Sequence, residues 1–169
     1  GVQTCALPIS LADPLAPRLA VSLSSCSRGL RRALEAPVKQ LKERYEKARE
    51  LCVKLGTSCN MLRDEWMLTP SGRTAKSLFA ADMETLGMVL TTPGLPQLQR
   101  LHLYGSMIGD EGVQSLVGGL GFRALLSLES LGLSNTRIGQ AGASALASAF
   151  SRGAMPSLKA LGLSINFLG

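Results

Sequence analysis

Residues 95–116 read LPQLQRLHLYGSMIGDEGVQSL, and residues 128–146 read LESLGLSNTRIGQAGASAL. Leu98, Leu101 and Leu103 of the first recur as Leu128, Leu131 and Leu133, and at the same interval again as Leu158, Leu161 and Leu163. An Ile-Gly-x-x-Gly follows each of the first two triplets (Ile108, Gly109, Gly112; Ile138, Gly139, Gly142), and a leucine follows that, Leu116 and Leu146. Self-similarity at a fixed period means that one supersecondary unit is stacked on copies of itself.

Leu-x-x-Leu-x-Leu places Leu101 and Leu103 on one side of an extended strand, because strand side chains alternate. Glycines three places apart allow a tight turn and close approach of a helix. Asp110 is expected to cap a helix over Glu111–Leu120, and Gly153–Pro156 to end the next helix and return to a strand. One strand and one helix per unit predict an α/β fold, a right-handed coil of parallel strands and helices. Burying a leucine contributes about 1.5–3 kcal/mol, and only stacking buries these.

Shifting the pattern back by one period places Leu86 with Leu116 and Leu90 with Leu120, so Asp82–Leu90 reads as the helix of a degenerate preceding repeat. Its strand is weak: of the leucine places 68, 71 and 73, only Leu68 complies. Further upstream, Pro37 is expected in the first turn of a helix. Val38, Leu41, Tyr45, Ala48, Cys52 and Leu55 then form one apolar stripe on a charged helix, extended by Leu34 before it and by Cys59, Leu62 and Trp66 after it; Gly56, followed by Thr57 and Ser58, is expected to end one helix and cap the next. The stripe admits three readings: a cap on the first repeat, a coiled-coil seam giving self-association through residues 34–66, or a basic helix for a membrane surface or nucleic acid.

The expected organisation is residues 10–36 as a loose leader, 37–73 as the amphipathic helical segment, and 74–169 as repeats. Residues 1–9, GVQTCALPI, resemble a translated sequencing adapter and carry no fold information. No Met precedes Met61 and the third repeat stops before its helix, so the chain is expected to be a fragment of a longer protein.

Charge is uneven. Residues 10–76 carry 13 Lys/Arg against 7 Asp/Glu, and residues 77–169 carry 5 of each. Neutral repeats argue against gripping a nucleic-acid backbone, which requires clustered cations. No apolar run is long enough to span a bilayer, and a cytoplasmic location is expected. Outside the adapter-like stretch the cysteines are Cys26, Cys52 and Cys59. With no C-x-x-C pair and one histidine, His102, a zinc site is not expected. Cys52 and Cys59 would be about 10 Å apart along a single helix, too far for a disulfide, so they read as buried reduced thiols.

The stretches at 95–116 and 128–146, with MPSLKALGLSINFLG at 155–169, resemble leucine-rich repeats of the ribonuclease-inhibitor type. The resemblance implies a curved solenoid, a scaffold that binds another protein on a concave face lined by parallel strands. It also implies an Asn after each strand bonding to neighbouring backbone; Asn166 fits, while Ser106 and Thr136 stand in elsewhere. By offset, the exposed strand positions are Arg100, His102 and Tyr104, then Ser130, Gly132 and Ser134, then Ala160, Gly162 and Ser164. Arg100, His102, Tyr104, Ser130, Ser134 and Ser164 are thus the candidate partner-binding residues, with only the first row offering anchors. The later rows are small and nearly featureless, and one alternative is that they are simply solvated, with no partner on this segment. No catalytic, cofactor or metal residues are expected, no small-molecule substrate, and no enzyme activity. Three alternatives stay open: a GTPase-activating protein, a sensor portion of a larger receptor, and a structural spacer with a coiled-coil helix.

Overall fold

A computed structural model describes residues 28–62, 64–70, 78–91, 95–121 and 124–169. The adapter-like stretch, the leader as far as residue 27, the turn at 71–72 and the Pro93-Gly94 turn lie outside the described residues. In chain order the elements are α1 (Arg28–Leu55), α2 (Cys59–Leu62), β1 (Met67–Leu68), α3 (Ala80–Thr91), β2 (Arg100–His102), α4 (Gly109–Gly118), β3 (Ser130–Gly132), α5 (Gln140–Ser151) and β4 (Ala160–Gly162). The fold is mixed α/β, with one four-stranded sheet in the order β1-β2-β3-β4, all pairs parallel.

The sequence period becomes a register. Leu101 pairs with Leu131 and Leu131 with Leu161, each flanked by equivalent neighbours. The ladder runs on past the strands, with the Leu103 N–H donating to the Gly132 carbonyl and the Leu133 N–H to the Gly162 carbonyl, both at 2.7 Å. Leu98, Leu101, Leu103, Leu128, Leu131 and Leu133 join Ile108, Ile138, Val113, Leu116 and Leu146 in one buried core. Consecutive helices pack side by side over it, α3 on α4 and α4 on α5.

The turn after β2, β3 and β4 places a left-handed residue at the same point of the repeat: Gly105, Asn135 and Ile165 have φ of 69°, 56° and 57°. The Asn166 side chain bridges back to the preceding turn. Its Oδ1 accepts the Thr136 and Ile138 N–H groups, each at 3.0 Å, and its Nδ2 donates to the Leu133 carbonyl at 2.7 Å. Thr136 lies buried, its hydroxyl donating to the Leu133 carbonyl at 2.6 Å, so the shorter side chain satisfies the turn locally.

Several expectations need correction. The preceding repeat does have a strand, but β1 pairs Leu68 with Leu101 and Met67 with Arg100, out of step with the period that relates Leu101 to Leu131. Leu68 therefore occupies the place of Leu101 and not that of Leu98, and the connection between this strand and its helix is longer than in the later repeats. Asp110 does not cap its own helix. It sits in the first turn of α4 and reaches into the next repeat, where Oδ1 accepts the Gly139 and Gly142 N–H groups at 2.7 and 2.8 Å.

α1 begins at Arg28, inside the expected leader, and Pro37 lies within the helix. Strong helix formers from Arg31 to Ala36 carry the helix across the proline, which removes one backbone bond at about 3 kcal/mol. Of the apolar stripe, Leu41, Ala48, Cys52 and Leu55 are buried together with Leu51, and Tyr45 is half-buried against them. α1 packs against α3, pinned by the Lys54–Asp82 ion pair and by the Arg44 Nε–H donating to Met88 Sδ at 3.0 Å. The buried part of the stripe is thus occupied within the fold. Among the described residues no helix is long and apolar enough to cross a membrane.

Candidate functional site

Strand alternation turns Leu101 into the core and leaves Arg100 and His102 on the face away from the helices. Met67 stands beside Arg100 in register on β1. Just before it, the Trp66 carbonyl accepts the N–H groups of Gln99 and Arg100, at 2.8 and 3.0 Å. This ties Trp66 to β2 and brings its ring under the Arg100 guanidinium, 5.2 Å from ring centroid to carbon. A cation over an indole face is attracted by the ring quadrupole, by about 0.5–1 kcal/mol at exposed sites.

The next side chains continue the ridge. His102 Nε2 lies 3.0 Å from Ser130 Oγ on β3. The His102 and Tyr104 rings are 5.0 Å apart and tilted by 33°. Trp66 and Tyr104 remain 46% and 51% exposed, a large aromatic area left in solvent. Tyr104 does not stand upright. Its ring lies across β3, where a Cβ on Gly132 would come within 2.4 Å of it, and it approaches Gly162 on β4. Gly132 is therefore buried beneath an aromatic side chain, which sets aside the alternative of a simply solvated position.

Beyond the ridge the floor is low. Ser130, Ala160, Gly162, Ser134 and Ser164 follow across β3 and β4, with Ser134 Oγ close against Gly162. Ser164 sits exposed at the far edge, its carbonyl accepting the Asn135 N–H at 2.9 Å. The structure thus gathers Arg100, His102, Tyr104 and Ser130 into one contiguous cluster, with Ser134 and Ser164 on the floor beside it. Trp66 and Met67 complete the ridge without having been expected there. The repeat spacing could not reveal them, because β1 is displaced from it, and Trp66 fitted the helical stripe equally well.

Among the described residues, Arg100 is the one formal charge on the ridge. At the rim, Glu129 and Lys159 neutralise each other at 2.7 Å. The pKa of His102 is pulled below the ordinary histidine value, first by burial and then by the Arg100 charge. A serine and an imidazole within hydrogen-bond distance are two parts of a nucleophile–base pair. The charge acting on this imidazole is a cation, however, and it opposes the imidazolium that a general base must become. Among the described residues no three His, Cys, Asp or Glu side chains gather as a metal site would require.

Searched against protein-family models and against curated proteins, the chain matches none.

Proposed function

We propose that this chain is a leucine-rich-repeat solenoid of the ribonuclease-inhibitor type, and that it binds another protein on the open face of its sheet. The observation that carries the reading is the exposed ridge of Trp66, Arg100, His102 and Tyr104 beside a floor of glycine, alanine and serine. Aromatic and arginine side chains are the residue types that dominate interface energetics. The small floor lets a partner's backbone come close to the sheet. Repeat units in matched register, each closing the core of its neighbour, support the solenoid.

The chain acts by binding and not by catalysis. The Arg100 charge beside His102 supports this, because it disfavours proton uptake at the one imidazole. The partner presents apolar surface to Trp66 and Tyr104 and a carboxylate to Arg100, the cation of the ridge.

The test is affinity capture with the wild-type chain, with Arg100→Ala/Tyr104→Ala, and with Ser144→Ala/Ser148→Ala on the exposed side of α5, all matched for melting temperature. Proteins retained by the wild-type chain and the α5 variant, and lost by the ridge variant, would support the reading. Retention of the same proteins by the ridge variant would refute it.

A further inference from the structure

α1 ends at Leu55, and Gly56 follows with φ of 75°, a left-handed turn of the kind that ends helices. The Thr57 N–H donates back to the Cys52 carbonyl at 3.0 Å, closing that turn. The chain then reverses into α2, whose first residue is Cys59. Spacing along one continuous helix would hold the two cysteines apart; the break at Gly56 brings them together. Their Sγ atoms lie 3.2 Å apart, and both thiols are free and buried, with 1% and 8% exposure. A disulfide requires about 2.05 Å, so closure needs a movement of little more than about 1 Å. Gly56 and Ser58, in the turn that would absorb it, are exposed.

We propose that Cys52 and Cys59 form a dithiol modification site that is oxidised by a small-molecule disulfide and closes to an internal disulfide across the α1–α2 turn. Cys59, the more exposed, loses its proton and attacks one sulfur of the small disulfide. A mixed disulfide forms on Cys59, and one small thiolate leaves and takes up a proton. Cys52 then loses its proton and attacks the Cys59 sulfur. The protein disulfide forms, and the second small thiolate leaves and is protonated. Two protein thiols give up two electrons, and one small disulfide becomes two small thiols.

Burial, the Cys59 hydrogen bond and the nearby Cys59 charge all push the Cys52 thiol up. The buried Cys52 thiol therefore resists losing its proton, which slows reaction of the reduced pair at rest. The bond would join the end of α1 to α2 and fix the segment leading into Trp66 and β1. This site is independent of whether the sheet face binds a partner.

The experiment uses the full chain with Cys5→Ser and Cys26→Ser, which leaves Cys52 and Cys59 as its only thiols. The protein is equilibrated in mixtures of reduced and oxidised glutathione, quenched in acid, alkylated and weighed intact. The expected product is a species lighter by two hydrogen atoms and closed to alkylation, its link mapped between Cys52 and Cys59. The effective concentration of the pair should exceed that of the same chain in urea by about tenfold or more. Peptide mapping of the unsubstituted chain under the same conditions gives the same readout without the serine changes. An effective concentration no higher than in urea, or oxidation that stops at glutathione adducts, would overturn the proposal.

Discussion

Asp110 Oδ1 accepts the Gly142 N–H at 2.8 Å, so a carboxylate in one repeat caps the helix of the next. The same oxygen holds the Gly139 N–H, which satisfies two of the donors that a helix N-terminus leaves open. A negative charge there also suits the helix dipole. The contact is close enough to dictate the residue on the other side: a Cβ on Gly142 would lie 2.6 Å from Asp110 Oδ1 and 2.9 Å from Ile138 Cγ2.

Asp110→Ala should therefore cost about 0.5–2 kcal/mol, the usual range for loss of a cap. Gly142→Ala should cost about 1–3 kcal/mol through overpacking. The two changes should not add, because the alanine methyl gains room once the carboxylate is gone. Urea denaturation of both single variants and the double variant checks this as a mutant cycle. Strict additivity would mean that the two residues do not meet.

Leu131 and Leu161 are partners in the ladder, yet Leu131 is 2% exposed and Leu161 is 40% exposed. Truncating the first empties a packed site, and truncating the second removes a methyl cluster already half in water. Leu131→Ala should cost about 2–5 kcal/mol, and Leu161→Ala about 1 kcal/mol. Equal losses in the two melting curves would argue against the stacking described.

Ile165 holds φ of 57°, a left-handed conformation that a β-branched residue adopts only under strain. Asn135 occupies the equivalent place one repeat earlier, and asparagine tolerates that conformation. Ile165 is 79% exposed, so little burial is lost on replacing it. Ile165→Asn should stabilise the chain by about 1 kcal/mol, seen as a higher denaturation midpoint at unchanged slope.

His102 is the chain's one histidine, and its folded pKa lies below the ordinary value of about 6.5. Below that value the unfolded chain binds the proton more readily than the folded chain does. Its contribution to stability is thus present above about pH 6.5 and is lost as pH falls through the folded pKa. The His102 ring resonance in a proton NMR titration should shift with a midpoint below that of a model peptide. His102→Gln should remove this part of the pH slope. A midpoint above that of the free peptide would contradict the placement of Arg100 beside the ring.

The column of Leu101, Leu131 and Leu161 was legible because strand alternation and a constant period fix both face and register. Arg100, His102 and Tyr104 followed from the same alternation. What was hidden lay where that regularity fails or where contacts cross repeats. Trp66 joined the ridge only because β1 pairs out of step with the period, Met67 against Arg100 and Leu68 against Leu101. Asp110 looked like a local cap because capping rules consider one helix at a time, whereas its acceptor geometry serves the next helix. The helix end at Gly56 was legible, but the meeting of Cys52 and Cys59 depends on the direction in which the chain reverses there, which neither the turn residues nor helical spacing expresses. Gly132 looked featureless because nothing in its own row showed that Tyr104 would lie across it.

The most direct test of the central claim is site-specific photo-crosslinking in cell extract. p-Benzoylphenylalanine is placed at Tyr104 on the sheet ridge or at Ser148 on the exposed side of α5. A protein crosslinked through the Tyr104 position and absent from the Ser148 position is the predicted result. Equal crosslinking at both positions, or crosslinking through Ser148 alone, would contradict an account in which the sheet face holds the partner.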